Sequence, residues 1–203
     1  MTRAVALSFP ALAAAVFAQM GDAGIQAHLR SMLAPVERHL NIDPAEGEYL
    51  RGLVRKTEVR RAVEVGTSTG YSGIWIALGL RDSGGTLISI EIDPGRHGTA
   101  RRNFRITGLE RHADLRLGDA LELLPTIEGP IDFAFLDAVK QDYLKYYEIL
   151  LPKMRSGGVI AAHNVISHPS LMTDFLERIR TDSRVRSEIV NPGTQGISVS
   201  VVR

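Results

Sequence analysis

Three carboxylates close three successive β-branched runs: Glu64 in RAVEVG (61–66), Glu91 in TLISIEI (86–92) and Asp119 just after ADLRLG (113–118). The first belongs to VEVGTSTGYSG, where Gly66 and Gly70 make a turn between a strand and a helix beginning at Tyr71. A strand, glycine turn and helix in that order mark the position at which a doubly wound fold receives a nucleotide. The turn has no Lys where GxxxxGK[ST] needs one, and its glycines are spaced G-x-x-x-G rather than G-x-G-x-x-G, which weakens both phosphate readings. Glu64 weakens them further, because a carboxylate beside the turn repels a pyrophosphate and favours an ammonium or sulfonium. S-adenosylmethionine (SAM) carries both cations. Glu91 can accept hydrogen bonds from two ribose hydroxyls, and Asp119 is placed to reach an adenine amino group. Taken singly, each acid reads equally well as a helix cap or a solvated turn; together, at three strand ends, they point to adenosine.

The elements that must hold these acids in place are legible in the periodicity. Further strands are expected at IDFAFLD (131–137), GVIAAH (158–163), RSEIV (186–190) and GISVSVV (196–202), with helical stretches centred near Ile76, Arg101, Leu121, Tyr146 and Leu176. Helices precede the first strand, over 22–39 and from Asp43-Pro44 to about Lys56, the latter with Asp as N-cap and Pro at the first helical position. Such alternation predicts an α/β fold: a Rossmann-like doubly wound sheet of seven strands, mostly parallel, with ligands at the carboxyl ends of the strands. NPGTQ between the last two strands suits a tight reversal, so the final strand should run antiparallel.

Bulk properties narrow the partners. The chain has 203 residues, enough for one domain with a sizeable core, which we expect as N-terminal helices (1–57) and an α/β core (58–203). With 24 Lys and Arg against 23 Asp and Glu, no global field draws it to nucleic acid or an anionic membrane, and a small molecule is the expected partner. Zero cysteines exclude disulfides and thiolate sites and suit a reducing compartment. The apolar run from Ala4 to Ala18 is too short to span a bilayer. It reads as a helix packing on the domain or on a second copy, with a removed signal as the alternative, so a cytoplasmic homodimer is expected.

VEVGTSTGYSGIWIALGL, ISIEIDP, RLGDALELLP, FLDAVKQDYLKYYEILLPKMRSGGVI and AHNV, in this order, resemble the class I SAM-dependent O-methyltransferases of the catechol and caffeoyl-CoA type, over about residues 40 to 203. The resemblance implies methyl transfer to a hydroxyl oxygen of a phenol or catechol-like small molecule. It also implies cofactor-binding positions: Glu64, Gly66, Thr67, Ser68, Gly70 and Tyr71 around the methionine portion, Ser72 at its carboxylate, and Ile42 in a helix closing over it. Glu91 with Ile92 would hold the ribose, Gly118, Asp119 and Ala120 the adenine, and Asp137 would border the same site. Lys140 matches the lysine beside the acceptor hydroxyl.

The resemblance also implies a divalent ion on Asp137, an acid and Asn164, but AHNV puts His163 at the middle position. Imidazole for a hard oxygen should weaken Mg²⁺ and Ca²⁺ more than Mn²⁺, Fe²⁺ or Zn²⁺. Three readings stay open: a transition metal on Asp137, His163 and Asn164; no metal, with His163 or Lys140 as general base; or a SAM-binding protein without catalysis. An NAD-binding oxidoreductase is a further alternative, disfavoured by Glu64 and by the absent fingerprint. The arginines from Arg96 to Arg116 read as a solvated helix face, His168 as lying near the acceptor pocket, Trp75 as packing, and Tyr143, Tyr146 and Tyr147 as core and dimer surface.

Overall fold

The protein is described from a computed structural model covering residues 20–34 and 41–203. Its strands are β1 (Arg61–Val65), β2 (Thr86–Glu91), β3 (Ala113–Leu117), β4 (Ile131–Leu136), β5 (Met154–His163), β6 (Val185–Val190) and β7 (Ile197–Val202). The helices are α1 (Asp22–Ser31), α2 (Pro44–Lys56), α3 (Tyr71–Ser83), α4 (Pro94–Thr107), α5 (Ala120–Leu123), α6 (Tyr143–Leu150) and α7 (Thr173–Thr181). All seven strands join one sheet in the order β3-β2-β1-β4-β5-β7-β6. β7 runs antiparallel to both β5 and β6, and the other pairs are parallel, as the alternation and the NPGTQ reversal predict.

Side chains alternate across the pleat and so divide the core in two. Ala62, Leu87, Phe133, Phe135, Val159 and Ala161 face α2 and α3, whereas Val63, Ile88, Ala134, Leu136, Ile160 and Ala162 face α6 and α7. Helices on both faces explain why the central strands read as nearly continuous apolar runs. α2 lies tightly on α3: a Cβ on Gly47 would stand 2.3 Å from the Trp75 ring. Trp75 is core, as expected.

Several boundaries differ from the sequence reading. β1, β2, β3 and β4 each stop one residue early, because the next residue already turns into the loop above the sheet. β5 starts at Met154 rather than Gly158, since its pairing with β4 shifts register between Ile131 and Phe133 and resumes beyond the glycine pair. α1 ends at Ser31; the rest of the expected 22–39 helix from residue 35 onward, and the whole apolar run 4–18, lie outside the described residues. Among the described residues no helix is long and apolar enough to cross a membrane.

Candidate functional site

A cleft of about 680 Å³ opens above the carboxyl ends of β1, β2, β3, β4 and β5. It lies where the chain order reverses between β1 and β4, the place at which open α/β sheets bind ligands. Asp137 N–H donates to Val65 C=O at 2.9 Å, which ties the two loops together there. Gly66 sits at φ 99°, and a Cβ on it would stand 2.1 Å from the Asp137 carbonyl oxygen, so no other residue fits the close approach.

One wall carries the acids read from the sequence. Glu91 lines the cleft, with Oε2 accepting from Ser68 N–H at 2.7 Å and Oε1 from Asp93 N–H at 3.0 Å. Each carboxylate oxygen keeps a free lone pair for a ligand hydroxyl. Asp119 also lines it while capping α5 through Leu121 N–H at 2.8 Å, so the cap and binding readings coexist. Thr67, Ser68, Tyr71, Ser72, Gly118, Ala120 and the exposed Ile92 complete the wall.

Glu64 is placed behind this wall, not in it. It is fully buried beneath α3, where Gly73 leaves room for its carboxylate. Ser72 donates to Oε1 at 2.6 Å and Ser89 to Oε2 at 2.5 Å, with Thr67 and Ser89 also 2.5 Å apart. Burial pushes its pKa up to about 7, against the hydrogen bonds from Ser72 and Ser89, and the Asp137 and Glu91 charges add to the rise. Its path to a ligand therefore runs through Ser72. Ile42 is likewise buried in the core, 2% exposed, and its neighbour Asn41 lines the cleft instead.

The opposite wall comes from β4 and β5. Asp137 shares parity with Phe133 and Phe135, and His163 with Val159 and Ala161, so the pleat turns both toward α2. There they meet Glu46, an acid that the sequence reading did not single out. His163 is 4% exposed; its Nε2 lies 2.9 Å from Glu46 Oε2 and its Nδ1 3.2 Å from Asp137 Oδ2. Asp137 Oδ1 accepts from Lys140 Nζ at 2.8 Å. Burial alone would push His163 down, but the hydrogen bonds and charges of Asp137 and Glu46 win and raise it to about 9. Burial would likewise raise Asp137, yet His163 and Lys140 hold it below the usual carboxylate range.

Glu46 is also tied to the backbone, accepting from Asp43 N–H at 2.9 Å and Gln195 N–H at 3.2 Å. Its only sequence signal was the capping-box spacing from Asp43, which reads as helix start. Other residues missed are Tyr146, Arg96 and Gln195, all lining the cleft. Tyr146 was expected as core and dimer surface; it is buried, as expected of core, but also lines the cleft, where burial and the charges of Asp142 and Asp119 push its phenol up to about 12. Tyr143 and Tyr147 are buried and meet Phe175 edge to face, with ring centroids 5.6 and 5.9 Å away. His168 lines the cleft on its exposed side. Arg101, Arg102 and Arg105 are exposed on α4, as expected of a solvated face.

The sheet order, the glycine turn and the acids at successive strand ends define a nucleoside-binding protein of the Rossmann-like class. The O-methyltransferase family profile matches residues 22–191. A catechol O-methyltransferase from Mycobacterium tuberculosis is 31% identical over 184 residues, 89% of this chain and 83% of that protein. A catechol O-methyltransferase from Niastella koreensis is 35% identical over 131 residues, 63% of this chain, which spans 59% of that relative's length. Among solved structures, an O-methyltransferase from Bacillus cereus in complex with SAH superposes with a TM-score of 0.78 at 29% identity, covering 92% of this chain and 94% of that one. The chain belongs to the SAM-dependent O-methyltransferase family.

Proposed function

We propose that the protein transfers the methyl group of SAM to a hydroxyl oxygen of a small phenol or catechol-like acceptor. The observation that carries this reading is the cleft at the β1/β4 switch, which sets a nucleoside-binding wall (Glu91, Asp119) against a charged wall (Lys140, Asp137). When bound, SAM supplies a methyl group on a sulfonium; the net reaction moves it to the acceptor oxygen, leaves SAH and releases the acceptor's proton to solvent. Glu91 would accept the ribose hydroxyls and Asp119 the adenine amino group. Backbone from Gly66 to Gly70, with Ser72 relaying Glu64, would face the methionine portion, whose ammonium an acid behind the turn favours. Lys140 would stabilise the acceptor's developing oxyanion, and the walls would fix the acceptor in line, which is most of what this chemistry demands.

Incubation with SAM and a panel of phenols and catechols, read by mass spectrometry for SAH and an O-methylated product, tests the proposal. Product with at least one acceptor supports it. Tight SAM binding with no product from any acceptor would favour a non-catalytic SAM-binding protein, a reading motivated by the engagement of both His163 nitrogens. We further propose one methyltransferase domain across 1–203 acting as a cytoplasmic homodimer, supported by the apolar run 4–18 and by a cofactor made in the cytoplasm. Light scattering showing an unchanged dimer without residues 1–20 would refute the role of that run.

A further inference from the structure

The residues that a divalent ion would need are engaged with one another. A histidine ligates through an unprotonated ring nitrogen, whereas both nitrogens of His163 face carboxylate oxygens, 2.9 Å away at Glu46 and 3.2 Å at Asp137. An ionised carboxylate accepts and does not donate, so both contacts are hydrogen bonds only when each ring nitrogen carries a proton, which is the imidazolium form. Nδ1 and Nε2 point in different directions from the ring, so the two carboxylates cannot converge on one ion with it. Asp137's other oxygen is held by Lys140 at 2.8 Å. Among the described residues, no three His, Asp or Glu side chains form a metal-binding group. With both ring nitrogens and both Asp137 oxygens so engaged, Asp137, His163 and Asn164 as they stand do not fit a divalent ion.

The charges of the cluster balance without an ion. Glu46 and Asp137 are balanced by Lys140 and His163. Replacing a carboxylate by an imidazolium at position 163 changes the local charge by two, the charge of one divalent ion. Removal of either carboxylate would leave that cation buried and uncompensated.

We propose that the imidazolium of His163, clamped between Glu46 and Asp137, takes the place of a divalent ion, and that the protein methylates lone phenolic hydroxyls without metal chelation. This rests on the methyltransferase reading. His163 is a positioning residue: it fixes Asp137, which orients Lys140 toward the acceptor, and it adds positive charge to that wall. Without an ion to chelate, a second hydroxyl beside the first has no partner to bind, and the acceptor class widens from vicinal diols to simple phenols. The exposed Val139 at the cleft offers such a ring an apolar contact.

The test titrates EDTA-treated wild type and His163→Asp calorimetrically with Mn²⁺, Mg²⁺ and Zn²⁺, then titrates both with SAM. We expect no saturable metal heat in wild type, saturable Mn²⁺ binding in His163→Asp, and SAM binding in both. One-to-one metal binding by wild type that is lost in His163→Ala overturns the proposal, as does a folded His163→Asp protein that binds no ion. Loss of SAM binding instead would sink the enzymatic reading and leave the metal result interpretable. Should His163→Asp fail to fold, ¹⁵N-histidine NMR of wild type decides: two protonated ring nitrogens uphold the clamp, and one bare nitrogen refutes it. In turnover, a phenol and the matching catechol should differ by no more than about 10-fold, the scale of one hydrogen bond, with or without EDTA. A larger catechol preference that disappears with EDTA would contradict the inference.

Discussion

Glu46 and His163, separated by 117 residues, meet at 2.9 Å between α2 and the end of β5. This contact joins α2 to the carboxyl end of β5, and Glu46 also holds the Asp43 and Gln195 amides. Removing one partner of a buried ion pair costs about 3–5 kcal/mol, since the remaining charge stays desolvated. Glu46→Ala should therefore lower the melting temperature by roughly 6–20 °C in a chain of this size, and Glu46→Gln by less. Differential scanning calorimetry showing an unchanged melting temperature in Glu46→Ala would remove the pair from the account.

Glu91 should report on the cofactor. Its carboxylate faces the cleft with free lone pairs, and hydrogen bonds to a charged group contribute about 1.5–3 kcal/mol. Glu91→Ala is expected to weaken SAM binding by about 10- to 150-fold, measured calorimetrically. Equal affinity would place the ribose elsewhere.

Lys140 should separate binding from chemistry. Lys140→Met is expected to leave SAM affinity unchanged and to lower kcat by about 10²-fold or more, the scale seen when one oxyanion-stabilising group is removed. Lys140→Arg should keep part of the rate, because it keeps the charge. A Lys140→Met enzyme at full rate would assign the acceptor to another group.

Glu64 gives a pH signature. Its folded pKa of about 7 stands above its ordinary value of 4.5 because burial disfavours the charged form. Between those values the folded state binds more protons than the unfolded state, so stability is greatest below pH 4.5 on this account and is lost as pH rises through about 7. The difference is roughly 2–4 kcal/mol. Urea denaturation of wild type and Glu64→Gln between pH 5 and 8 should diverge, with the Gln variant flatter; parallel curves would refute the assignment. An ammonium held near the turn in front of Glu64 would favour its ionised form, so SAM binding near pH 7 should also release a proton, visible as buffer-dependent heat.

Much of this site could be read before the fold was seen, and the misses share a cause. Glu91, Asp119 and Gly66 were legible as cleft-lining residues because each sits at a strand end, where position along the chain alone places a residue at the cleft. Ile42 and Glu64 were placed one step off, since facing direction depends on packing: Asn41 rather than Ile42 turns to the cleft, and Glu64 follows the pleat under α3. Glu46 was hidden by its double use, as a Glu three residues after Asp43 reads as a capping box and nothing local says that a histidine far along the chain will reach it. The parity of Asp137 and His163 was legible, but not the α2 face they turn toward.

The most direct measurement is calorimetric titration of the wild-type protein with SAM and, separately, with NAD. The account predicts saturable one-to-one binding of SAM, weakened in Glu91→Ala, and no heat with NAD. Binding of NAD without binding of SAM would contradict it and return the cleft to the dinucleotide reading.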